Sequence, residues 1–253
     1  MKKSNFTLFI SSRYLLCNFI VNQEIINESY IFILPIKKEC SMEEKYLTEL
    51  IQRMIIKEEI KSSDSSISWK AYREAETLTD TSSYPILKNL ILQNSKPKDK
   101  KYRNAAYFIM GKLLKKTPIN EFIDFYLQQM EVETDKYILS SMLDLVADII
   151  IPINISTKIL GSLAMNEKWL IRHSAISALC SSTTSESKQA LYHYINQADE
   201  KTYRYEIIYA NASLGKIGSV EDIPTLNKHI KSKINDIRYS AEYAIKSIQE
   251  RAK

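Results

Sequence analysis

Turn-forming residues are scarce in this chain: four glycines and six prolines among 253 residues, with Leu, Ile, Ala, Lys and Glu abundant. That composition argues for helices joined by short connections. The three cysteines, Cys17, Cys40 and Cys180, have no C-x-x-C spacing and no His/Cys cluster around them. A disulfide framework and a zinc site are therefore excluded as expectations, and a reducing, cytoplasmic setting fits. The three histidines, His173, His193 and His229, lie far apart with no metal-ligand spacing, so no metal is expected. A glycine-rich phosphate loop, an H-E-x-x-H motif and a Ser/His/Asp or Cys/His arrangement are all absent, so no cofactor is expected and the balance lies against an enzyme. A strong excess of one charge is missing as well. With 35 basic and 30 acidic residues the net charge is +5, short of the concentrated positive field of a dedicated nucleic-acid binder.

What the chain does have is repetition. Residues 236–248 form an amphipathic pattern in which Ile237, Ala241, Ala244, Ile245 and Ile248 fall three or four apart on one face. With Arg238 as register zero, an apolar residue at −1, small residues near +3 and +6, and aliphatics at +7 and +10 recur around Ser68, Arg103, Leu139, Arg172 and Ile207. The spacing is about 34 residues, the signature of a repeat architecture. A second helix lies between each pair, and Pro85, Pro118, Pro152 and Pro224 mark its expected starts, because proline is tolerated in a first helical turn. The copy without proline starts near Ser185–Ser187, good capping residues. Two helices per repeat, stacked side by side, predict an all-α fold, a right-handed α-solenoid of about six units.

The run Asn235-Asp236-Ile237-Arg238-Tyr239-Ser240-Ala241-Glu242-Tyr243-Ala244-Ile245 resembles the HEAT-like repeat, in the form found in bacterial HEAT proteins and phycobilin lyases. The resemblance covers about residues 67–251 and is loosest at Leu139 and Ile207. It implies an arginine–acid ladder between repeats, for which Arg238 with Asp236, Arg172 with Glu167 and Arg103 with Asp99 are the matching pairs. Residues 42–66 are expected to form a capping helix ahead of an array over 67–253.

Residues 1–41 do not share the pattern. Lys2 and Lys3 precede an apolar run, Phe6–Val21, but Arg13 interrupts it and no small-residue cleavage site follows, against a signal peptide. Ser, Arg and Asn break the run too often for a span of roughly 30 Å, so no membrane span is expected. Lys38-Glu39 can be encoded as AAG-GAG, a purine-rich ribosome-binding sequence just ahead of Met42. One expectation is accordingly that translation starts at Met42; an anchor or a short docked segment is the other.

In HEAT-like repeats the second helices line a concave face. If the stripe at −1, +3, +7 and +10 is buried, positions near +1, +2, +5 and +9 look outward. They include Trp69, Arg73, Phe108, Lys112, Ser140, His173, Tyr209, Tyr239 and Tyr243. Aromatic anchors among polar neighbours are what protein-binding surfaces use, which points to a non-enzymatic scaffold for a protein or peptide partner. The bland reading is that half of these side chains pack against neighbouring repeats. Asp144 and Asp148, four apart on the same face, are the only candidates for acid/base chemistry. Some bacterial HEAT-like proteins are DNA glycosylases with tryptophans and an aspartate in a basic cleft. That resemblance makes Asp144 or Asp148, Trp69 and Lys112 the alternative site and nucleic acid the alternative partner. Trp69 and Trp169 stand three repeats apart, however, and Trp169, at −3, is expected to pack between repeats. A chromophore lyase is a third reading that rests on the shared repeat alone.

Overall fold

The structure, a computed structural model, describes residues 41–59 and 62–253. The expectations for residues 1–40, including the origin of the segment before Met42, lie outside the described residues. Twelve α-helices follow one another, with no strand among the described residues: α1 Met42–Met54, α2 Ile67–Ala75, α3 Ser83–Gln93, α4 Lys100–Lys116, α5 Asn120–Val132, α6 Lys136–Val146, α7 Lys158–Ala164, α8 Trp169–Ala178, α9 Ser185–Ile195, α10 Arg204–Ile217, α11 Ile223–Leu226 and α12 Asn235–Arg251.

The starts follow from local chemistry. The Ser41 hydroxyl accepts the Glu44 amide at 3.1 Å and opens α1, whose Leu47, Leu50, Ile51 and Met54 then fall on one buried stripe. The Asp135 carboxylate accepts from the amides of Tyr137 and Ile138 and opens α6, and the Thr184 side chain does the same for Ser187 in α9.

Even-numbered helices stack on even and odd on odd, and α2, α4, α8, α10 and α12 each also pack on the odd helix before them. α4, α6, α8, α10 and α12 touch in succession, as do α5, α7, α9 and α11. At the front of the even series, Tyr72 of α2 meets Phe108 of α4 edge-on, 4.8 Å between ring centres. The even helices begin at residues 67, 100, 136, 169, 204 and 235, steps of 31 to 36. The fold is thus an α-solenoid of paired helices. Its inner column is the +3 position: Ala71, Ala106, Met142, Ala175, Ala210 and Ala241 are all fully buried. Small side chains there allow close approach of helices. At Gly215 of α10 even a methyl group would sit 2.8 Å from the Cα of Ala244 in α12.

Three expectations are corrected. Pro152 does not begin a helix; α7 starts six residues later at Lys158. The intervening segment is held by buried Ile151 and Ile155 and by the Ile151 amide donating to the Ser181 carbonyl at 2.8 Å. Ser140 does not look outward: it is buried against α8, its hydroxyl 2.9 Å from that of Ser174.

The ladder is corrected too, because its acids come from the following repeat and not from the arginine's own turn. Arg103 pairs with Glu133 at 2.8 Å and Arg172 with Glu206 at 2.7 Å. Asp236 pairs backward with Arg204, an arginine three residues before register zero in α10. A carboxylate 30 to 34 residues away closes the pair between repeats, which a carboxylate in the same turn cannot do.

A candidate binding face on the even helices

Two clefts open on the even-numbered layer, each built around a tryptophan. The first, about 420 Å³, lies between α2 and α4 and is lined by Ser63, Ser66, Ser68, Trp69, Tyr72, Arg73 and Phe108. It brings together three of the expected residues, Trp69, Arg73 and Phe108. The Arg73 guanidinium lies 5.7 Å from the centre of the Trp69 indole and pairs with Glu76 at 2.7 Å, one turn along. Lys112 reaches the same Glu76 at 3.4 Å while resting over the Phe108 ring. The serine wall is fixed by Glu58, whose carboxylate accepts from the Ser68 and Ile67 amides and the Ser66 hydroxyl. Those donors hold its pKa down at about 2.

The second cleft, about 470 Å³, lies between α8 and α10 and is lined by Trp169, Arg172, His173, Thr202, Tyr205, Glu206 and Tyr209. His173 sits amid three rings, with centres 5.6 Å from Trp169, 6.0 Å from Tyr205 and 5.2 Å from Tyr209. At the floor, the Glu206 carboxylate meets both Arg172 and His173 Nε2, the latter at 3.1 Å. Burial pushes the Glu206 carboxyl up, but hydrogen bonds from Arg172, its own amide and His173 outweigh burial and hold it below the usual range. Trp169 is corrected by this cleft: it does not pack between repeats but stands 63% exposed at its mouth. Glu206 escaped the sequence reading because α10 was registered on Ile207, which placed it ahead of the outward positions.

The remaining candidates lie apart from the clefts. Tyr239 and Tyr243 project from α12, 58% and 70% exposed. Asp148 lies beyond the end of α6, in a turn, paired with Lys115 at 2.8 Å. Asp144 is on α6, and the protein mass around its carboxyl raises its pKa against a hydrogen bond from Ser174 that lowers it. Neither aspartate lines a tryptophan cleft. Among the described residues no group of His, Cys, Asp and Glu could hold a metal ion, and no helix is long and apolar enough to cross a membrane.

Chemically the face offers rings, five of them with a cation beside the ring: Arg73 at Trp69, Lys112 at Phe108, Lys136 at Tyr137, Arg204 at Tyr205 and Arg238 at Tyr239, all within 6 Å of the ring centre. Such pairs hold exposed aromatic side chains in place and present flat apolar surface.

No protein-family model and no curated protein matches the chain. Among solved structures it is similar to an engineered protein from a structural genomics programme, at 14% identity over 81% of this chain and 97% of that one, TM-score 0.43. It is similar also to a designed armadillo repeat protein in complex with the peptide (KR)4, at 12% identity over 80% and 99%, TM-score 0.45. A second designed armadillo repeat protein aligns at 13% identity over 80% and 99%, TM-score 0.43.

Proposed function

We propose that this chain is a non-enzymatic scaffold of the bacterial HEAT-like type, working in the cytoplasm and holding a protein or peptide segment along the exposed face of its even-numbered helices. The observation that carries the reading is the pair of clefts, each with an exposed tryptophan, Trp69 and Trp169, beside further aromatic side chains. Clusters of partly exposed aromatic residues beside polar groups are where binding energy concentrates in protein interfaces. Trp69, Arg73, Phe108 and Lys112 form one anchor point. His173 and Tyr209, with Trp169 and Tyr205, form the other. Tyr239 and Tyr243 extend the face beyond the second.

The test is affinity capture from the native lysate with the wild-type chain and with a Trp69→Ala/Trp169→Ala variant, followed by reconstitution with the purified partner. A protein held by the wild type and lost from the variant supports the reading. Retention on DNA in place of any protein, falling with salt, would transfer it to the nucleic-acid alternative. Release of alkylated base that disappears in Asp144→Asn would make the chain an enzyme.

A further inference from the structure

We propose that Arg238 is a preformed receptor for a carboxylate on the protein partner, so that the segment crossing α12 is acidic there. The inference deepens the scaffold reading above and rests on it. Its basis is a comparison of three arginines at the same repeat position. In Arg103, Nη1 donates to the carbonyls of Asn94 (2.8 Å) and Lys96 (3.2 Å), while Nε and Nη2 donate to Glu133 at 2.8 and 3.1 Å. In Arg172, Nη1 donates to the carbonyls of Asn166 (2.8 Å) and Glu167 (3.0 Å), while Nε donates to Glu206 at 2.8 Å. Backbone carbonyls of the preceding turn thus orient each guanidinium, and its other edge takes a carboxylate from the next repeat.

Arg238 repeats the first half of this arrangement. Its Nη1 donates to the Ser232 carbonyl at 3.1 Å, and its guanidinium lies 5.2 Å from the centre of the Tyr239 ring. The second half is missing: Nη2 donates to the Asn235 side chain at 2.8 Å, and no carboxylate among the described residues pairs with Arg238. A planar fork already held in place binds a carboxylate with little further loss of freedom.

The neighbouring residue follows the same logic. His173, next to Arg172, lies against Tyr205 and Tyr209 of the following helix. Tyr239, next to Arg238, has no ring opposite it among the described residues and is 58% exposed. Along the sequence, residues 226–253 hold seven Lys and Arg against Asp236, Glu242 and Glu250, and Glu200 reaches in from the preceding repeat to accept from Ser232 at 2.6 Å. Asp236 is engaged by Arg204 and Glu250 by Lys246, so an acidic segment is complementary. One turn beyond Arg238, exposed Glu242 takes the place of Tyr107, Leu143, Ile176 and Asn211, all buried. An occupant of this end of the array meets a polar edge at Arg238, Tyr239 and Glu242.

The test uses the full chain and labelled poly(Glu,Tyr), poly(Lys,Tyr) and oligo-dT in fluorescence anisotropy. Poly(Glu,Tyr) is expected to bind best and to lose about tenfold in affinity on Arg238→Gln. Lys246→Gln, which removes the same charge from the same helix, should leave binding within about twofold. Equal losses in both variants, no loss in Arg238→Gln, no binding of poly(Glu,Tyr), or tighter binding of oligo-dT would each overturn the inference. Arg238-dependent self-association in sedimentation would overturn it in favour of a second copy of the chain. If Arg238→Gln binds as the wild type does while Trp169→Ala loses binding, the scaffold reading stands and this inference alone falls.

Discussion

The two tryptophan clefts use the same kinds of residue but are held together in different ways. In the cleft of α2 and α4, the charged pair Arg73–Glu76 lies within three residues of sequence, and the Arg73 side chain is 53% exposed. In the cleft of α8 and α10, Glu206 is buried, and its partners Arg172 and His173 belong to the previous repeat. The first cleft is a surface feature that a single helix and its flanking turns largely supply. The second is part of the joint between repeats. A buried pair that spans a joint fixes the relative position of two helices, so binding at the second cleft is pre-organised by the fold itself.

The sharpest way to break the comparison is to remove the acid from each cleft. Glu206→Ala leaves the Arg172 guanidinium facing a buried floor without its counter-charge, and a loss of about 3 kcal/mol in urea unfolding is expected. A loss below about 1 kcal/mol would mean that water already screens the pair and that the two clefts are alike.

Binding should separate the clefts by a different route. Trp169 is 63% exposed and Trp69 46%, so alanine at either position should change stability by no more than about 0.5 kcal/mol. Trp169→Ala is nevertheless expected to weaken the captured partner by about 2 kcal/mol, roughly thirtyfold, because its ring stands at the mouth of the pre-organised cleft. Trp69→Ala should cost less. A calorimetric titration of both variants measures the difference, and the reverse order would place the main anchor in the first cleft.

Acid offers a third, smaller discriminator. Burial pushes the His229 imidazole below its usual value, and its Nδ1 lies 3.2 Å from the Asn211 side-chain oxygen. A folded-state pKa below the unfolded one means that the unfolded chain binds the proton better. The contribution of His229 is therefore present above about pH 6.5 and declines as pH falls below it. Glu206 has the same sign in a lower window: its depressed pKa gives stability above the ordinary carboxylate value, lost as pH falls through the folded one. Urea unfolding at stepped pH should show a first decline that His229→Gln removes and a second, below about pH 4.5, that Glu206→Gln flattens. A single decline unaffected by Glu206→Gln would remove the buried carboxylate from the account of the second cleft.

The column that builds the fold was readable because small or apolar residues recur at +3 in every even helix, from Ala71 to Ala241, and all six are buried. Sequence spacing reports such a column directly. The ladder was not readable, because its partners stand 30 to 34 residues apart and nearer acids, Asp99 and Glu167, compete for the assignment. Arg204 was missed because it reaches Asp236 from one turn ahead of register zero, a shift that keeps it on the same helix face. Trp169 was misplaced for a related reason. It is the first residue of α8, and helical side chains lean toward the N-terminus, so its ring projects past the packed turn into the open cleft.

The smallest expected effect belongs to the first cleft. Glu76 is shared by Arg73 at 2.7 Å and Lys112 at 3.4 Å, but the Arg73 side chain is 53% exposed, that of Glu76 is 25% exposed against 6% for Glu206, and each cation also lies near a ring. Removing the acid frees them without leaving a charge in an apolar floor, so Glu76→Ala should cost about 0.5 kcal/mol or less in urea unfolding. High salt should shrink even that difference, since exposed pairs are screened, whereas the cost of Glu206→Ala should persist in 1 M NaCl. Equal salt sensitivity in the two variants would show that both acids are solvated alike and that the second cleft has no special claim to pre-organisation.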